Sequence, residues 1–190
     1  KNQFYGYYGR ASREPSRNDF EEGIYTPEKL NDYELGWRLK GANFKLNSNV
    51  YYMDYKDQLV LSGALNDVGA PLRTTSGKSY RLGLEIDAAW KFSNSWSLMP
   101  NLALSTNKNK DFVAARDGAL EDLGDTNISF SPDLVASNML VFAPKNNFQV
   151  SLLSKFVGEQ FMGNIDSEAS KLDSYFINDV NLVYELINVR

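Results

Sequence analysis

Three arginines near the start of the chain are spaced closely enough to act on one ligand. Arg10, Arg13 and Arg17 lie where a strand-like segment runs into a polar stretch. A guanidinium binds a carboxylate or a phosphate through paired hydrogen bonds, so these residues are candidate contacts for an anionic ligand. The alternative is charge balance, because clustered arginines usually pair with nearby acids. The partners expected for this balance are Glu14, Asp19, Glu34 or the charges of a plugging domain.

A second candidate site is acidic. Glu121, Asp122 and Asp125 fall within a few residues of one another. Carboxylate oxygens are the ligands that calcium prefers, so this segment is a candidate metal site. The spacing matches no known calcium loop, and a solvated acidic loop is the commoner origin of such a pattern.

Composition excludes several kinds of chemistry. The 190 residues contain no Cys and no His, which removes disulfides, thiolate nucleophiles and the usual general base. The formal charge of −4 argues against a nucleic-acid surface, and no motif indicates a cofactor. No apolar run approaches the roughly 20 residues of a membrane-spanning helix.

The elements that would position these side chains are strands. Between Gly77 and Phe92, apolar and polar residues alternate, which places them on opposite faces of a strand. Tyr80 stands at one end of the apolar face and Trp90 at the other, as aromatic residues do at membrane interfaces. Similar alternation recurs in about seven further segments, although the faces of Asp133–Ala143 cannot be assigned.

Connections of two lengths alternate along the chain. The short turns are Lys40–Asn43, Phe92–Ser95 and Pro144–Asn147, and the long connections are Arg13–Asn31, Ser62–Gly77, Asn109–Pro132 and Phe161–Leu172. An up-and-down sheet then has short turns at one edge and long loops at the other, as bacterial outer-membrane barrels do. We therefore predict an all-β fold, an antiparallel up-and-down transmembrane β-barrel of which about eight strands are present. A short helix is expected at Ala114–Leu123.

Ordered motifs along the chain resemble those of TonB-dependent outer-membrane receptors. Each motif alone is weak, whereas the set in the family's order covers nearly the whole chain. Gly36 and Gly83 stand inside strands of this set, where glycine often marks a bend or a close backbone approach. The resembling segments are Tyr5–Phe20, Thr26–Trp37, Tyr51–Leu59, Asn66–Arg73, Ser79–Glu85, Ser131–Pro132 and Tyr175–Asp179.

The resemblance implies a larger protein. Such receptors have barrels of about 22 strands that enclose an N-terminal plug. Residues 1–190 are then part of the barrel domain, with the plug and the last strands not present, since the end at Asn188–Arg190 lacks the terminal aromatic residue typical of these barrels. The expected location is the outer membrane of a Gram-negative bacterium. The implied partners are the remaining barrel and plug, the TonB energy-transducing complex, outer-membrane lipid and a small nutrient ligand.

The implied function is active import of a scarce nutrient, with a ferric siderophore as the leading ligand and no enzymatic activity. Import of a glycan, haem or cobalamin by the same family stays open. Two other classes also remain: a complete eight-stranded outer-membrane barrel and a soluble β-sandwich binding module. The three arginines and the acidic triplet stay the candidate ligand and metal sites.

Overall fold

The computed structural model describes residues 1–65, 67–116 and 119–186. The expectations for Asn66 and for the Asn188–Arg190 end lie outside these residues. In chain order the elements are β1 (Asn2–Arg13), α1 (Arg17–Glu21), β2 (Glu28–Lys40), β3 (Phe44–Lys56), β4 (Leu59–Leu65), β5 (Pro71–Thr75), β6 (Lys78–Lys91), β7 (Trp96–Lys110), β8 (Val113–Arg116), β9 (Ala119–Asp122), β10 (Thr126–Asn127), β11 (Leu134–Lys145), β12 (Phe148–Val157), β13 (Gln160–Phe161), a 3₁₀ turn (Glu168–Ser170), β14 (Lys171–Leu172) and β15 (Tyr175–Tyr184).

Eight strands form one antiparallel sheet in the order β1-β2-β3-β6-β7-β11-β12-β15, and β10 adds a short pairing to β7. Each long strand pairs with the next long strand of the chain, which is the predicted up-and-down topology. Within the described residues the sheet stays open, since β1 pairs only with β2 and β15 only with β12. Three small hairpins stand outside it: β4-β5, β8-β9 and β13-β14.

Cross-strand rows show why the two faces differ. One row joins Leu35, Val50, Leu84, Leu104 and Leu134 across five strands. The row three residues away, on the opposite face, joins Arg38, Asn47, Asp87, Asn101 and Ser137. Because side chains alternate along each strand, the register collects apolar residues on one side, the apolar face, and polar residues on the other, the polar face.

The apolar face is open to the surroundings. Leu35 is 70% exposed and Phe4 is 77% exposed. A soluble sheet would bury this face against a second layer. Here the strands are instead as long as 15 residues in β7, longer than the roughly 10 that a tilted strand needs to cross a bilayer.

Aromatic rings edge the apolar face at both ends of the strands. Near the short turns, Phe4 stacks on Trp37 at 6.2 Å between ring centroids, and Trp96 lies 4.6 Å from Phe142. Towards the long loops, tyrosines of neighbouring strands contact one another at 5.0–6.4 Å. We call this second set the tyrosine belt; it consists of Tyr8, Tyr33, Tyr52 and Tyr80. Aromatic rings thus form a girdle at each end of the apolar face, and the position of these girdles at membrane interfaces stays a prediction.

The structure corrects the expected loops. The predicted helix at Ala114–Leu123 is wrong, because β8 and β9 pair there as a hairpin. The β-branched Val113 and the pairing of Ala114 with Glu121 favour the extended form. The other long connections also carry structure, namely α1, the β4-β5 hairpin and the β13-β14 pair. The connections at the long-loop edge are therefore 14–27, 57–77, 111–133 and 158–174.

Pairing also settles the faces that alternation left unassigned. In β11, Leu134, Leu140 and Phe142 lie on the apolar face through their pairing with β7. In β1, Phe4 and Tyr8 share the apolar face with Trp37 and Tyr33, and Tyr5 lies on the polar face opposite Gly36. No helix in the described ranges is long and apolar enough to cross a membrane.

Candidate functional site

A capped helical turn fixes the first long loop. The side chain of Ser16 accepts a hydrogen bond from the Asp19 backbone N–H, and Asp19 Oδ2 accepts from the Ser16 backbone N–H at 2.7 Å. This reciprocal arrangement satisfies donors at the start of α1 that the helix itself cannot pair. The loop therefore presents a buried, prearranged carboxylate.

That carboxylate joins the first loop to the second. Arg73 of β5 donates from Nε to Asp19 Oδ1 at 2.9 Å and from Nη2 to Asp19 Oδ2 at 2.6 Å. Burial by itself would raise the pKa of Asp19, but hydrogen bonds from Ser16 and the charge of Arg73 outweigh burial and lower it. Asp19 thus stays ionised well into acid, and the two loops stay paired.

Asn164 joins the second, third and fourth loops. It is 2% exposed, donates from Nδ2 to the Leu61 carbonyl at 2.8 Å and accepts at Oδ1 from the Ser129 backbone N–H at 2.9 Å. The buried Asn109 at the end of β7 also donates to Asn164 Oδ1, at 3.4 Å. A buried amide that loses such partners leaves polar groups unpaired, so this residue holds the three loops in one arrangement.

Apolar packing supports the same arrangement. Phe112, which is 1% exposed, packs with Val60 and Ala114, and the partly buried Leu123 packs against this cluster. Val60 belongs to β4 and Ala114 to β8, so the cluster joins the second and third loops. The described long loops therefore form a packed structure above the sheet, which we call the loop assembly.

The polar face below the loop assembly forms a hydrogen-bonded wall. The Tyr5 hydroxyl donates to Asn49 Oδ1 at 3.3 Å, and Asn49 Nδ2 donates to Glu34 Oε2 at 3.0 Å. The Arg38 guanidinium lies 4.7 Å from the centre of the Tyr5 ring. Tyr5, Arg38 and Asn49 line a concavity of about 600 Å³, together with neighbouring residues that include Glu85. The wall can make many directional polar contacts with a partner on that side.

Glycines on the polar face make room for tyrosine rings. The Tyr51 ring lies across its register partner Gly83, where a Cβ atom would come within 2.5 Å of the ring. Tyr5 covers Gly36 in the same way one strand pair earlier. At both glycines the approaching group is an aromatic side chain of the neighbouring strand, rather than the second backbone that the sequence suggested.

The three predicted arginines do not come together. Arg10 and Arg13 lie on opposite faces of β1. Arg10 pairs with Asn31 on the apolar face, and Arg13 pairs with Glu28 on the polar face. Arg13 Nη2 is 3.1 Å from Glu28 Oε2, and Arg17 Nε is 2.9 Å from Glu21 Oε1 on the exposed side of α1. The partners differ from the expected Glu14, Asp19 and Glu34. Ligand contact by Arg10, Arg13 and Arg17 stays a prediction.

The acidic triplet is divided among other interactions. Lys110 hydrogen-bonds to Asp125 and lowers its pKa, and Asp122 Oδ1 accepts from the Gly124 backbone N–H at 2.9 Å. Glu121 belongs to β9, opposite Ala114. In the described part of the chain no three His, Cys, Asp or Glu side chains gather as metal ligands. Calcium binding at Glu121, Asp122 and Asp125 stays a prediction.

Sequence reasoning missed the residues that organise the loop assembly. Arg73 appeared only inside a motif, and Asn164 appeared only inside a long connection. A lone Asn in a polar loop carries no signal, because its role depends on partners as far as 103 residues away along the chain. Arg73 and Asp19 gave a weak signal as oppositely charged residues in adjacent loops.

Comparison with known proteins identifies the family to which this open sheet belongs. The family model described as "TonB dependent receptor-like, beta-barrel" matches residues 2–190. The chain belongs to this TonB-dependent receptor family. Members are transport receptors rather than enzymes, and their barrels lie in the outer membrane of Gram-negative bacteria. Family members have a plug domain and interact with TonB and with ligands.

Relatives of this TonB-dependent receptor chain match it either in sequence or in structure. The pesticin receptor of Yersinia enterocolitica is 34% identical over 73 residues, which is 38% of this chain and 10% of that protein. The ferric yersiniabactin uptake receptor FyuA of Yersinia pestis superposes with a TM-score of 0.70 and 19% identity, covering 96% of this chain and 27% of that one. The copper transporter OprC superposes with a TM-score of 0.75 and 18% identity, covering 98% and 29%.

Two conclusions follow for the TonB-dependent receptor chain. It spans about a tenth of the curated relatives and under a third of the solved structures. The structural likeness establishes the partial barrel fold, and the family decides against a soluble β-sandwich. The activity of the whole protein rests on further argument.

Proposed function

We propose that the protein containing this chain is an outer-membrane receptor that imports a scarce nutrient, with a ferric siderophore as the leading ligand and with energy from the TonB system. The carrying observation is the family match over residues 2–190 on a sheet with one apolar and one polar face. Such a sheet is stable when the apolar face meets lipid and the polar face meets water or protein. The proposed location is therefore the outer membrane of a Gram-negative bacterium.

The ligand class follows from the relatives. FyuA is a receptor for ferric yersiniabactin, and the receptor Fiu of Escherichia coli K12 imports ferric catecholates. Fiu superposes with a TM-score of 0.71 and 17% identity over 98% of this chain. A metal complex is also the cargo suggested by the copper transporter OprC. Iron complexes thus stand first, and copper is the second candidate.

The polar face supports a plug in the completed barrel. Tyr5, Arg38 and Asn49 offer donors and a cation around the concavity, while Glu34 and Glu85 offer carboxylates. If this wall faced a water-filled lumen, the completed barrel would be an open pore. A plug domain with complementary polar groups would close that pore. We propose that residues 1–190 form part of the barrel domain and that a plug from the same protein covers this wall.

The loop assembly supports capture of ligand from outside. Its hairpins are held by Asn164 and by the Asp19–Arg73 pair, so its surface is prearranged. Prearranged loops lose less conformational freedom when a ligand binds, which favours affinity.

Growth under iron limitation tests this function. The full-length protein is expressed in a bacterium that lacks its own siderophores and iron receptors, with and without a working TonB complex. We expect one ferric siderophore, supplied from a panel of catecholate, hydroxamate and phenolate types, to restore growth only when TonB is present. Growth restored by haem or cobalamin, or cell-associated copper without iron, would move the ligand to those classes. Growth that is equal without TonB would contradict the energised import.

A further inference from the structure

Four lysines form a continuous row on the outward side of the sheet. Lys29 pairs with Lys56, Lys56 with Lys78, and Lys78 with Lys110, each directly across neighbouring strands. We call Lys29, Lys56, Lys78 and Lys110 the lysine row. All four share the apolar face with the tyrosine belt, because each is an even number of residues from an apolar-face residue of its own strand.

Like charges directly opposite each other destabilise a sheet. Lys29, Lys56 and Lys78 are exposed and form no ion pair with any described residue. Lys110 is the exception, since it is bound to Asp125 and lies 5.4 Å from the Tyr80 ring centre. Within β2, β3, β6 and β7, Asp54 is the one acid on the same face as the row. Lys29, Lys56 and Lys78 thus repel one another and lack a paired negative charge among the described residues.

The position of the row indicates what supplies that charge. Lys78 lies two residues beyond Tyr80, about 7 Å along the strand towards the long loops. Tyrosine belts lie at the level of the lipid headgroups, so the row stands at or just outside that level. Arg10, on the same face beside Asn31, adds a further exposed cation. The basic side chains therefore lie on the lipid side at the depth of the headgroups, not in the lumen.

We propose that the lysine row binds the phosphate groups of a phosphorylated lipid headgroup in the leaflet at the long-loop edge. The ammonium groups meet phosphate oxygens with charge-assisted hydrogen bonds, and the neighbouring tyrosines pack on the lipid below. The inference rests on the proposed outer-membrane location. It assigns the outward face of β2, β3 and β6 a specific lipid contact separate from the import route.

Direct binding of a lipid with defined phosphates tests the proposal. The full-length protein is purified in detergent and titrated with bisphosphorylated lipid A, and complexes are counted by native mass spectrometry. Substituting Lys29→Ser, Lys56→Ser and Lys78→Ser together should weaken binding roughly a hundredfold, from the usual contribution of a lysine near a charged lipid surface. The control changes Lys40→Ser, Lys45→Ser and Lys91→Ser, which removes the same charge from exposed positions on the polar face at the short-turn edge. The control should bind as the wild type does.

Thermal stability gives a readout that a merely structural role would not produce. Without lipid, the lysine-row variant should unfold at an equal or higher temperature than the wild type, because repulsion between lysines is removed. With lipid A, the wild type should gain stability and the variant should not. A variant that is less stable in both conditions would overturn the proposal.

The remaining outcomes separate the sources of phosphate and the underlying function. Inorganic pyrophosphate that binds the row as tightly as lipid A would overturn a lipid ligand in favour of a soluble one. Equal binding of lipid A by the wild type and the lysine-row variant would overturn the site. Fractionation is measured in parallel: a wild type absent from the outer membrane overturns the proposed location, whereas correct fractionation with no lysine-dependent binding overturns the lysine row alone.

Discussion

Asn164 and Asp19 are two of the described residues whose side chains organise the long-loop edge. Asn164 is buried and bonds to groups from two other loops, and Asp19 joins the first loop to Arg73 of the second. Both are short polar side chains, and Asp19 also caps the start of α1 through Ser16. The three arginines first considered for ligand binding are instead spread over two faces and a helix.

Acid should open the contact between the first two loops. Because the pKa of Asp19 is lowered in the folded protein, its stabilising effect is complete above the ordinary value of about 3.9 and is lost as the pH falls through the lowered pKa. Hydrogen-exchange protection of residues 14–27 in the full-length receptor should therefore hold from neutral pH to about pH 4 and fall below it.

Two variants check that Asp19 is the group responsible. Asp19→Asn should lower protection at neutral pH by roughly tenfold, as expected for a charge-assisted hydrogen bond, and should remove the dependence on pH. Glu21→Gln, in the exposed pair with Arg17, should leave both unchanged. An acid transition that persists in Asp19→Asn would show that another group controls the loop.

At the scale of elements, alternation and register act together. Each long strand has an apolar and a polar side, and the pairing keeps those sides aligned over the sheet, as in the row from Leu35 to Leu134. A one-residue slip of any strand would place its charges in lipid, so the pattern itself enforces the register. The short turns help: Ser93 Oγ accepts from the backbone N–H groups of Ser95 and Trp96 and closes the β6-β7 turn.

Two adjacent positions of β6 should respond oppositely to the same new charge. Leu84→Lys places an ammonium group on the apolar face between the aromatic girdles and should cost about 2–4 kcal/mol. Glu85→Lys, the next residue, places it on the polar face and should cost much less. The free energy of unfolding of the full-length protein in lipid or detergent is measured by urea titration. Equal losses at both positions would contradict the assignment of the faces.

Most strands and the facing of their side chains were predictable from the sequence. The period of two at Tyr80, Leu82 and Leu84 is a local property, so strand identity and facing could be read directly. The helix prediction for Ala114–Leu123 was wrong because the extended state of that segment is fixed by pairing between β8 and β9. The faces of β11 were not predictable either, since residues on both sides are largely apolar and only its register with β7 separates them.

At the scale of the whole molecule, the described sheet is a section of a barrel. Its edge strands β1 and β15 carry unpaired backbone groups on one side within the described residues. In lipid each such group costs several kcal/mol, and in water an open edge promotes association. The neighbouring strands of the complete receptor are what we expect to satisfy them.

The fragment and its parent should therefore behave differently. The full-length protein should fractionate with outer membranes and migrate faster on gel electrophoresis when unheated, as closed barrels do. Residues 1–190 produced alone should show neither property and should aggregate without detergent, because both edges remain open. A fragment that is monomeric and rich in β-structure in plain buffer would contradict the membrane assignment.

The strands, their two faces and the alternation of short turns with long loops were predictable from local residue patterns, because each depends on residues close together in the chain. Which distant residues meet was not predictable from those patterns and is seen in the folded sheet. Lys29, Lys56 and Lys78 become one row, and Asn164 reaches Leu61, through the cumulative register of strands and the folding of loops over them. Such contacts depend on the geometry of the whole sheet, which local residue patterns do not encode.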